Sequence, residues 1–230
     1  MSQDVSTILT AGVARVVITP PVGIALTGFA GRAPSNGIHD DLLATALVLA
    51  ERTSNGDDEA SRVALVTLDL LGMYGEEIAT SIKQQVERVT GIPAPRVFLA
   101  CSHTHYGPVV SPDQDMEGGA SEQARAYQAA LPHHVAGVVA MADAARWPVT
   151  LAAGRGSVQI GINRRERRPE GRIVLGQNPG GTLDAEVQVW RFDAADGDPV
   201  EPGAPLGWLR RAAAPVAVLV NYACHPVSLG

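Results

Sequence analysis

Hydrophobic residues along this chain are gathered in short runs that alternate with polar or glycine- and proline-rich segments. Apolar runs at 11–19, 42–50 and 62–70 predict three strands, and the spacing of the last two suits an antiparallel hairpin. Between Gly23 and Gly37 the sequence is rich in glycine, proline, serine and asparagine, which predicts a long loop. Loops of this length inside compact domains are more often functional than idle, so this loop is a candidate part of a site.

Two segments have the periodicity of helices. Over 75–90, apolar side chains recur at spacings of three and four residues before a glycine and a proline, which predicts an amphipathic helix. A second helix is predicted to start at Ser121, a residue suited to cap it, and to run to about Arg146 despite an internal proline. His133 and His134 fall in this alanine-rich helix and are expected to be ordinary surface histidines.

Further apolar runs predict the remaining strands at 97–100, 150–162, 173–175, 185–192 and 214–223. The last of them is a continuous apolar run, which is typical of a strand buried on both faces. Consecutive strands dominate both ends of the chain, and one clear helix joins the central strands. The sequence therefore predicts an α/β fold with a mixed β-sheet and flanking helices, and it disfavours a TIM barrel.

Composition excludes several classes of partner. The 230 residues are 46% hydrophobic, with a formal net charge of -6 and a pI near 5.5, so no global positive field attracts nucleic acid, and the basic run at 164–168 is short. No apolar stretch reaches the roughly 20 residues that span a bilayer. The N-terminus lacks the features of a signal peptide, so a cytoplasmic location is expected as the sequence is written, and a secreted one stays open if the N-terminus is incomplete.

Candidate chemistry begins where the run at 97–100 ends, in Cys101, His103 and His105. Successive side chains of an extended strand alternate between its faces, so these three are predicted to point the same way. Two imidazoles on one face could share a metal ion, although partly exposed histidines at a strand end are an equally good interpretation of the pattern alone.

A second apolar strand also ends in a histidine, His225, and this repetition favours a metal site. Catalytic zinc usually takes three protein ligands, and the third is not evident from the pattern. A structural site that includes Cys101 and Cys224 is disfavoured, because Cys224 and His225 are adjacent and would face opposite sides of a strand. Both cysteines are instead expected to be small buried apolar residues.

Two known metal-site patterns with the same His-x-His spacing do not fit. The metallo-β-lactamase pattern continues to an Asp-His pair, whereas this chain continues Tyr106-Gly107-Pro108. In the TIM-barrel amidohydrolases the pattern is followed by regular alternation of strands and helices, whereas this chain offers one helix and then several consecutive strands.

Several blocks, spread over nearly the whole chain and in the same order, together resemble the neutral/alkaline non-lysosomal ceramidases. The blocks are Gly12-Val13-Ala14-Arg15, Ile18-Thr19-Pro20, Gly28-Phe29, Gly37-Ile38-His39, Asp69, Ser102-His103-Thr104-His105-Tyr106-Gly107-Pro108, Gly161-Ile162-Asn163-Arg164 and Asn221-Tyr222-Ala223-Cys224-His225-Pro226. The combination is more specific than any one of the motifs.

The resemblance implies a zinc-dependent amidohydrolase of sphingolipid metabolism that cleaves the amide of an N-acyl, ceramide-like substrate. It implies that His103 and His225 bind zinc, and that His105 and Arg164 contact the substrate carbonyl or its oxyanion. The family's other ligands, a glutamate and a tyrosine, follow the second histidine block. Residues 1–230 are accordingly expected to be the N-terminal part of a zinc hydrolase domain that continues beyond Gly230.

Other residues of the resemblance bear on how the pocket is built. His39 and Asp69 are candidates to hold the far ring nitrogen of a ligand, with a structural hydrogen bond as the alternative for each. The chain departs from the family at Tyr106, where serine is usual, and at Asp41 and Thr45, where arginine is common. These departures concern the choice of substrate more than metal binding.

Two other functions remain open at this point. A metal-dependent esterase or phosphoesterase would use the same pocket. A catalytically silent binding protein of the same fold is favoured if the downstream ligands are absent. In each case the expected partner is a small N-acyl or lipid-like molecule, with neither nucleic acid nor a transmembrane segment.

Overall fold

The computed structural model describes residues 8–53, 56–111, 121–195 and 215–225. Within these ranges the chain forms a seven-stranded mixed sheet, a separate two-stranded sheet and two α-helices, so the predicted α/β class is confirmed. The elements are β1 (Ile8–Val17), β2 (Leu43–Thr53), β3 (Gly56–Leu68), α1 (Glu76–Thr90), a 3-10 turn (Ala94–Arg96), β4 (Val97–Cys101), α2 (Glu122–Ala144), β5 (Trp147–Ser157), β6 (Arg165–Arg167), β7 (Ile173–Leu175), β8 (Glu186–Ala194) and β9 (Ala217–Tyr222).

The large sheet has the strand order β4-β3-β2-β1-β5-β8-β9. β3 and β4 are parallel and are joined through α1, whereas the other neighbouring pairs are antiparallel. The predicted hairpin is the β2–β3 pair, with a register shift between Leu49 and Glu51. Most of the polar segment at 53–61, expected to be a turn, belongs to the two strands. Backbone groups still pair there although the side chains are polar, because every residue carries a backbone donor and acceptor.

The helices cover one face of the sheet and form its main core. Buried side chains from β3, α1 and α2 meet there, among them Val66, Leu68, Ile82, Val86, Leu131 and Val135. Ser121 caps α2 as predicted, since its side chain accepts a hydrogen bond from the Ala124 amide at 3.1 Å. Gly12 lets α2 approach β1 closely, because a Cβ there would lie 2.0 Å from the Ala142 carbonyl oxygen.

Two buried arginines tie the C-terminal end of α2 to β3. The side chains of Arg62 and Arg146 are 9% and 8% exposed, and both pair with Asp143. Arg62 Nη1 lies 2.6 Å from Asp143 Oδ2, and Arg146 Nε lies 2.7 Å from Asp143 Oδ1. Glu59, which is 61% exposed, also pairs with both arginines, at 2.8 Å and 3.5 Å, so Asp143 is the more buried of the two carboxylates that compensate these guanidinium groups.

The opposite face of the sheet is concave and apolar. Leu9, Leu49, Val63, Leu65, Phe98 and Trp190 line a groove of about 460 Å³ on it. Phe98, which lines this groove, belongs to β4 at one end of the strand order. Trp190, which lines it too, belongs to β8 near the other end. The sheet therefore curls, because a flat sheet would keep these strands far apart.

Both predicted helices are confirmed, whereas the predicted burial of the last strand is not. His133 and His134 are exposed on α2, as expected. The expectation that β9 is buried is wrong, since Val218 and Val220 are 50% and 58% exposed. Among the described elements the helices pack mainly on β1–β4, so Val218 and Val220 of β9 receive little cover from them. In the same ranges no helix has the length and apolar character to cross a bilayer.

Candidate metal centre

β3 and β4 run in parallel and end side by side, and the chain turns at that edge. The Ser102 amide donates to the Leu68 carbonyl at 2.9 Å, after which His103 adopts a φ of 60°. A positive φ takes His103 out of the extended conformation, so strict alternation of side chains stops at Cys101. The prediction of one continuous strand face through His105 is therefore wrong, although the turn still brings the two imidazoles together.

His103 is oriented by the backbone. Its Nδ1 lies 2.7 Å from the carbonyl oxygen of Leu71, which can only accept, so Nδ1 carries the proton and donates. The lone pair of the ring is then on Nε2. Metal-binding histidines are commonly held in this way, with the far nitrogen bonded to a carbonyl or carboxylate.

His225 lies directly opposite, three residues after β9. Its Nε2 is 3.1 Å from Nε2 of His103. In a flat seven-stranded sheet the edge strands β4 and β9 would be separated by six spacings of about 4.8 Å, or roughly 29 Å. The curl of the sheet therefore brings together two strand ends that are remote in both sequence and strand order.

His105 completes the cluster. Its ring centroid lies 5.0 Å from that of His103 and 5.2 Å from that of His225. Both of its ring nitrogens are buried, and neither has a hydrogen-bond partner among the described residues. An imidazole that lacks a partner in a buried position is costly unless a ligand satisfies it. This orphaned ring is thus an independent sign that something binds here.

The long loop at 23–37 packs against the histidine turn, as a functional loop would. The Thr27 amide donates to the Gly107 carbonyl at 3.1 Å, and Leu26 forms a β-bridge with Pro108. Gly28 has a φ of 107°, and a Cβ on it would lie 2.5 Å from Cγ of His105. Glycine is needed there for both its conformation and its small volume.

Arg32 of the same loop holds the backbone of the cluster. Its guanidinium donates to the carbonyl oxygen of His105 and lies over two rings, 4.1 Å from the centroid of Tyr106 and 5.2 Å from that of Phe29. Sequence reasoning missed Arg32 and the Leu71 carbonyl. The glycine-rich sequence at 23–37 indicated a functional loop. It could not identify Arg32, because a loop has no regular repeat that tells which side chains face the site.

The surroundings of His225 favour the neutral form of its ring. Partial burial of its ring, then the positive charge of Arg164 and the neighbouring His103 and His105, lower the pKa of His225 below its usual range. A neutral imidazole with a free lone pair is the form that binds a metal ion.

The donor set fits a metal ion. One ligand atom from each of His103, His105 and His225 can be chosen so that all lie within 4.8 Å of one another. Two imidazole nitrogens bound to one zinc ion at 2.0–2.1 Å in tetrahedral geometry are about 3.3 Å apart, close to the 3.1 Å between His103 and His225. Three imidazoles also match the chemistry of known catalytic zinc sites.

Arg164 is close enough to His225 for its charge to act on that ring. It is exposed, and its backbone carbonyl accepts from the Gly176 amide at 3.0 Å. The preceding segment is fastened to β9, because Tyr222 Oη donates to the Val158 carbonyl at 3.0 Å and accepts from the Ile160 amide at 3.2 Å. This attachment keeps Arg164 beside the cluster.

The side chains of the two residues predicted to support the ligands are bonded to groups other than the histidines of the cluster. The side chain of His39 is 97% exposed, and its Nδ1 is 2.5 Å from a carboxylate oxygen of Asp40. Asp69 accepts a hydrogen bond from the Leu43 amide at 3.0 Å, so its carboxylate joins the loop after β3 to the start of β2. In the described structure, the group that holds the ring of His103 is the Leu71 carbonyl.

The two cysteines differ. Cys101 is partly buried and packs against the helix-side core, and burial raises the pKa of its thiol. Cys224 is exposed, so the expectation that it is buried is wrong. It follows the end of β9, where the chain leaves the sheet and its side chain no longer faces packed neighbours.

The chain thus has an α/β fold with a curled mixed sheet, and the strand ends bring together three histidines whose ring nitrogens could hold a metal ion. Comparison of the sequence with protein-family models and with curated proteins finds no match. Among solved structures the chain is similar to neutral ceramidase from Pseudomonas aeruginosa, with a TM-score of 0.63 and 18% identity. It is also similar to a ceramidase complexed with C2, with a TM-score of 0.59 and 19% identity. Each match covers 84% of this chain and 30% of the other chain. At 18–19% identity, the similarity shows a shared fold.

Proposed function

We propose that this chain belongs to a zinc-dependent hydrolase that cleaves the amide bond of an N-acyl, ceramide-like substrate. The observation that carries the proposal is the convergence of His103, His105 and His225 from two remote strand ends, with ligand atoms within 4.8 Å. The ordered sequence blocks and the fold likeness to ceramidases support the choice of reaction, although the chain spans about 30% of those proteins.

His103 and His225 are the proposed ligands. The Leu71 carbonyl fixes the ring of His103 with Nε2 toward His225, and the lowered pKa of His225 keeps that ring neutral. A bound zinc ion would supply a coordinated water whose pKa is lowered toward neutrality. The protein supplies the neutral donors at the required separation.

His105 and Arg164 are the proposed substrate contacts. The unpartnered ring of His105 can donate a hydrogen bond to the carbonyl oxygen of the scissile amide. The positive charge of Arg164 stabilises the negative charge that develops on that oxygen in the tetrahedral transition state. Both groups lie next to the proposed ligands, and this proximity supports their assignment as substrate contacts.

The test measures zinc binding to metal-stripped protein by isothermal titration. Wild type should bind about one zinc ion per chain, and His103→Ala and His225→Ala should each weaken binding by at least tenfold. His134→Ala is a matched control, because His134 is an exposed histidine on α2. Equal binding by all four proteins would rule out the site.

A second measurement separates the two proposed roles and the reaction types. His105→Ala should retain zinc and lose turnover, whereas loss of zinc from this variant would make His105 a ligand. Parallel assays with N-acyl, ester and phosphoester substrates of similar size test the reaction. Turnover of ester or phosphoester alone would contradict the amidase assignment.

A further inference from the structure

The small β6–β7 sheet presents an unusual face. Antiparallel pairing sets Arg165 opposite Leu175 and Arg167 opposite Ile173. Directly paired residues point to the same side of a sheet, so these four side chains share one face, which we call the hairpin face. All four residues are exposed, whereas Glu166, on the other side, is partly buried.

The hairpin face combines exposed aliphatic side chains with positive charge. Ile173 and Leu175 are 60% and 78% exposed. Ile160 and Ile162, in the segment that leads into β6, are 71% and 57% exposed. Single exposed hydrophobic residues are ordinary, but a group of large ones beside a polar rim marks a surface that binds something.

The charge of this segment opposes that of the whole chain. Residues 164–172 contain five arginines and two glutamates, a local charge of +3, whereas the chain as a whole carries -6. Glu166 pairs with Arg168 at 3.2 Å, on the side away from the hairpin face. The guanidinium groups of Arg165 and Arg167 make no ion pair with any carboxylate of the described residues, so they are available to an outside anion.

We infer that the hairpin face docks on the surface of an anionic lipid bilayer. Ile173 and Leu175 would enter the boundary between headgroups and acyl chains, and Arg165 and Arg167 would bind lipid phosphates or carboxylates. Charge complementarity identifies the occupant, because a basic and apolar surface on an acidic protein matches a negatively charged apolar surface. Nucleic acid fits less well, since residues 160–175 contain no aromatic side chain on which a base could stack.

The hairpin face is close to the candidate metal centre. β6 starts directly after Arg164, whose charge acts on His225, and the segment that precedes it is tied to Tyr222 at the end of β9. Docking would therefore bring the histidine cluster next to the lipid surface. The advantage of this arrangement for catalysis rests on the proposed function, whereas the docking itself does not depend on it.

The test is flotation of the 230-residue chain, without added metal or substrate, with two kinds of vesicle. One kind is phosphatidylcholine alone, and the other contains about 30% phosphatidylserine, which supplies the anionic surface. Wild type should float with the anionic vesicles and should be released as salt is raised. The paired variants Ile173→Ser/Leu175→Ser and Arg165→Gln/Arg167→Gln should each bind about tenfold more weakly.

Matched controls are available on other surfaces. Met141→Ser removes a side chain that is 55% exposed on α2, and Arg15→Gln removes an exposed arginine on β1. Both should bind vesicles like wild type. Circular dichroism of every variant checks that the fold is intact, and because turnover is not measured, the result is independent of whether the chain hydrolyses anything.

Several outcomes would overturn the inference. One is equal flotation with neutral and anionic vesicles, and another is wild-type binding by both hairpin variants. Loss of binding in the arginine variant alone, with the serine variant unchanged, would indicate a general site for polyanions such as nucleic acid. A dimer that the serine variant abolishes, without vesicle binding by wild type, would make the hairpin face a contact between two copies of the chain.

Discussion

The Nε2 atoms of His103 and His225 lie 3.1 Å apart, although 122 residues separate the two histidines in sequence. His103 follows β4 and His225 follows β9, the opposite ends of the sheet order. Their contact therefore depends on how far the sheet curls, and everything that maintains the curl also maintains the site.

Replacement of Gly28 by alanine should displace His105. The new Cβ would lie 2.5 Å from Cγ of His105, and the φ of 107° adds strain of about 1–3 kcal/mol. Gly23→Ala is the matched control, because its φ of 97° imposes similar strain with no atom within 4 Å. Urea unfolding should show a larger loss of stability for Gly28→Ala, together with weaker zinc binding. Equal effects of the two substitutions would contradict the close contact.

Arg32→Lys should weaken the site although the charge is kept. Lysine cannot reproduce the planar stacking on Tyr106 together with the hydrogen bond to the His105 carbonyl. We expect a loss of about 1–2 kcal/mol in the free energy of unfolding, measured with urea. Arg15→Lys changes an exposed arginine on β1 and should alter stability by less than about 0.5 kcal/mol. A similar small change in Arg32→Lys would show that its contacts contribute little.

Asp143→Ala should be strongly destabilising. It leaves the buried guanidinium groups of Arg62 and Arg146 without their shared carboxylate, which typically costs about 3–5 kcal/mol. Glu59 also pairs with Arg62, at 2.8 Å, and with Arg146, at 3.5 Å, but its side chain is 61% exposed. Glu59→Ala should therefore cost less than about 1 kcal/mol. Urea unfolding of both variants measures the two losses of stability. A larger loss for Glu59→Ala than for Asp143→Ala would contradict the burial of Asp143 and its arginines.

Cys224 should react with iodoacetamide faster than Cys101 in the folded protein. Burial raises the pKa of the Cys101 thiol, so less reactive thiolate is present at a given pH, and burial also limits access. The reaction of Cys101 should accelerate only at higher pH than that of an ordinary thiol. Rates measured between pH 7 and 10 on Cys101→Ser and Cys224→Ser, each with one cysteine left, test this. Comparable rates at neutral pH would place Cys101 at the surface.

Much of the secondary structure could be predicted because it depends on local pattern. The helix predicted at 75–90 is Glu76–Thr90, and the short strand predicted at 173–175 is found at Ile173–Leu175. Periodicity also located His103 and His225 at the ends of apolar strands. It could not show that His103 leaves the extended conformation, because a φ of 60° in a residue other than glycine is imposed by the surroundings.

By itself, the sequence determined the α/β class, both helices, most of the strands and the histidines that could hold a metal ion, since each of these follows from the spacing of neighbouring residues. It did not predict β6 (Arg165–Arg167), because three charged residues carry no apolar pattern. The tertiary structure decided which groups meet: the edge strands through the curl of the sheet, the Leu71 carbonyl beside His103, and Arg32 across the ring of Tyr106. These contacts join residues far apart in the chain, and they depend on twist and packing summed over many strands, which local periodicity does not encode.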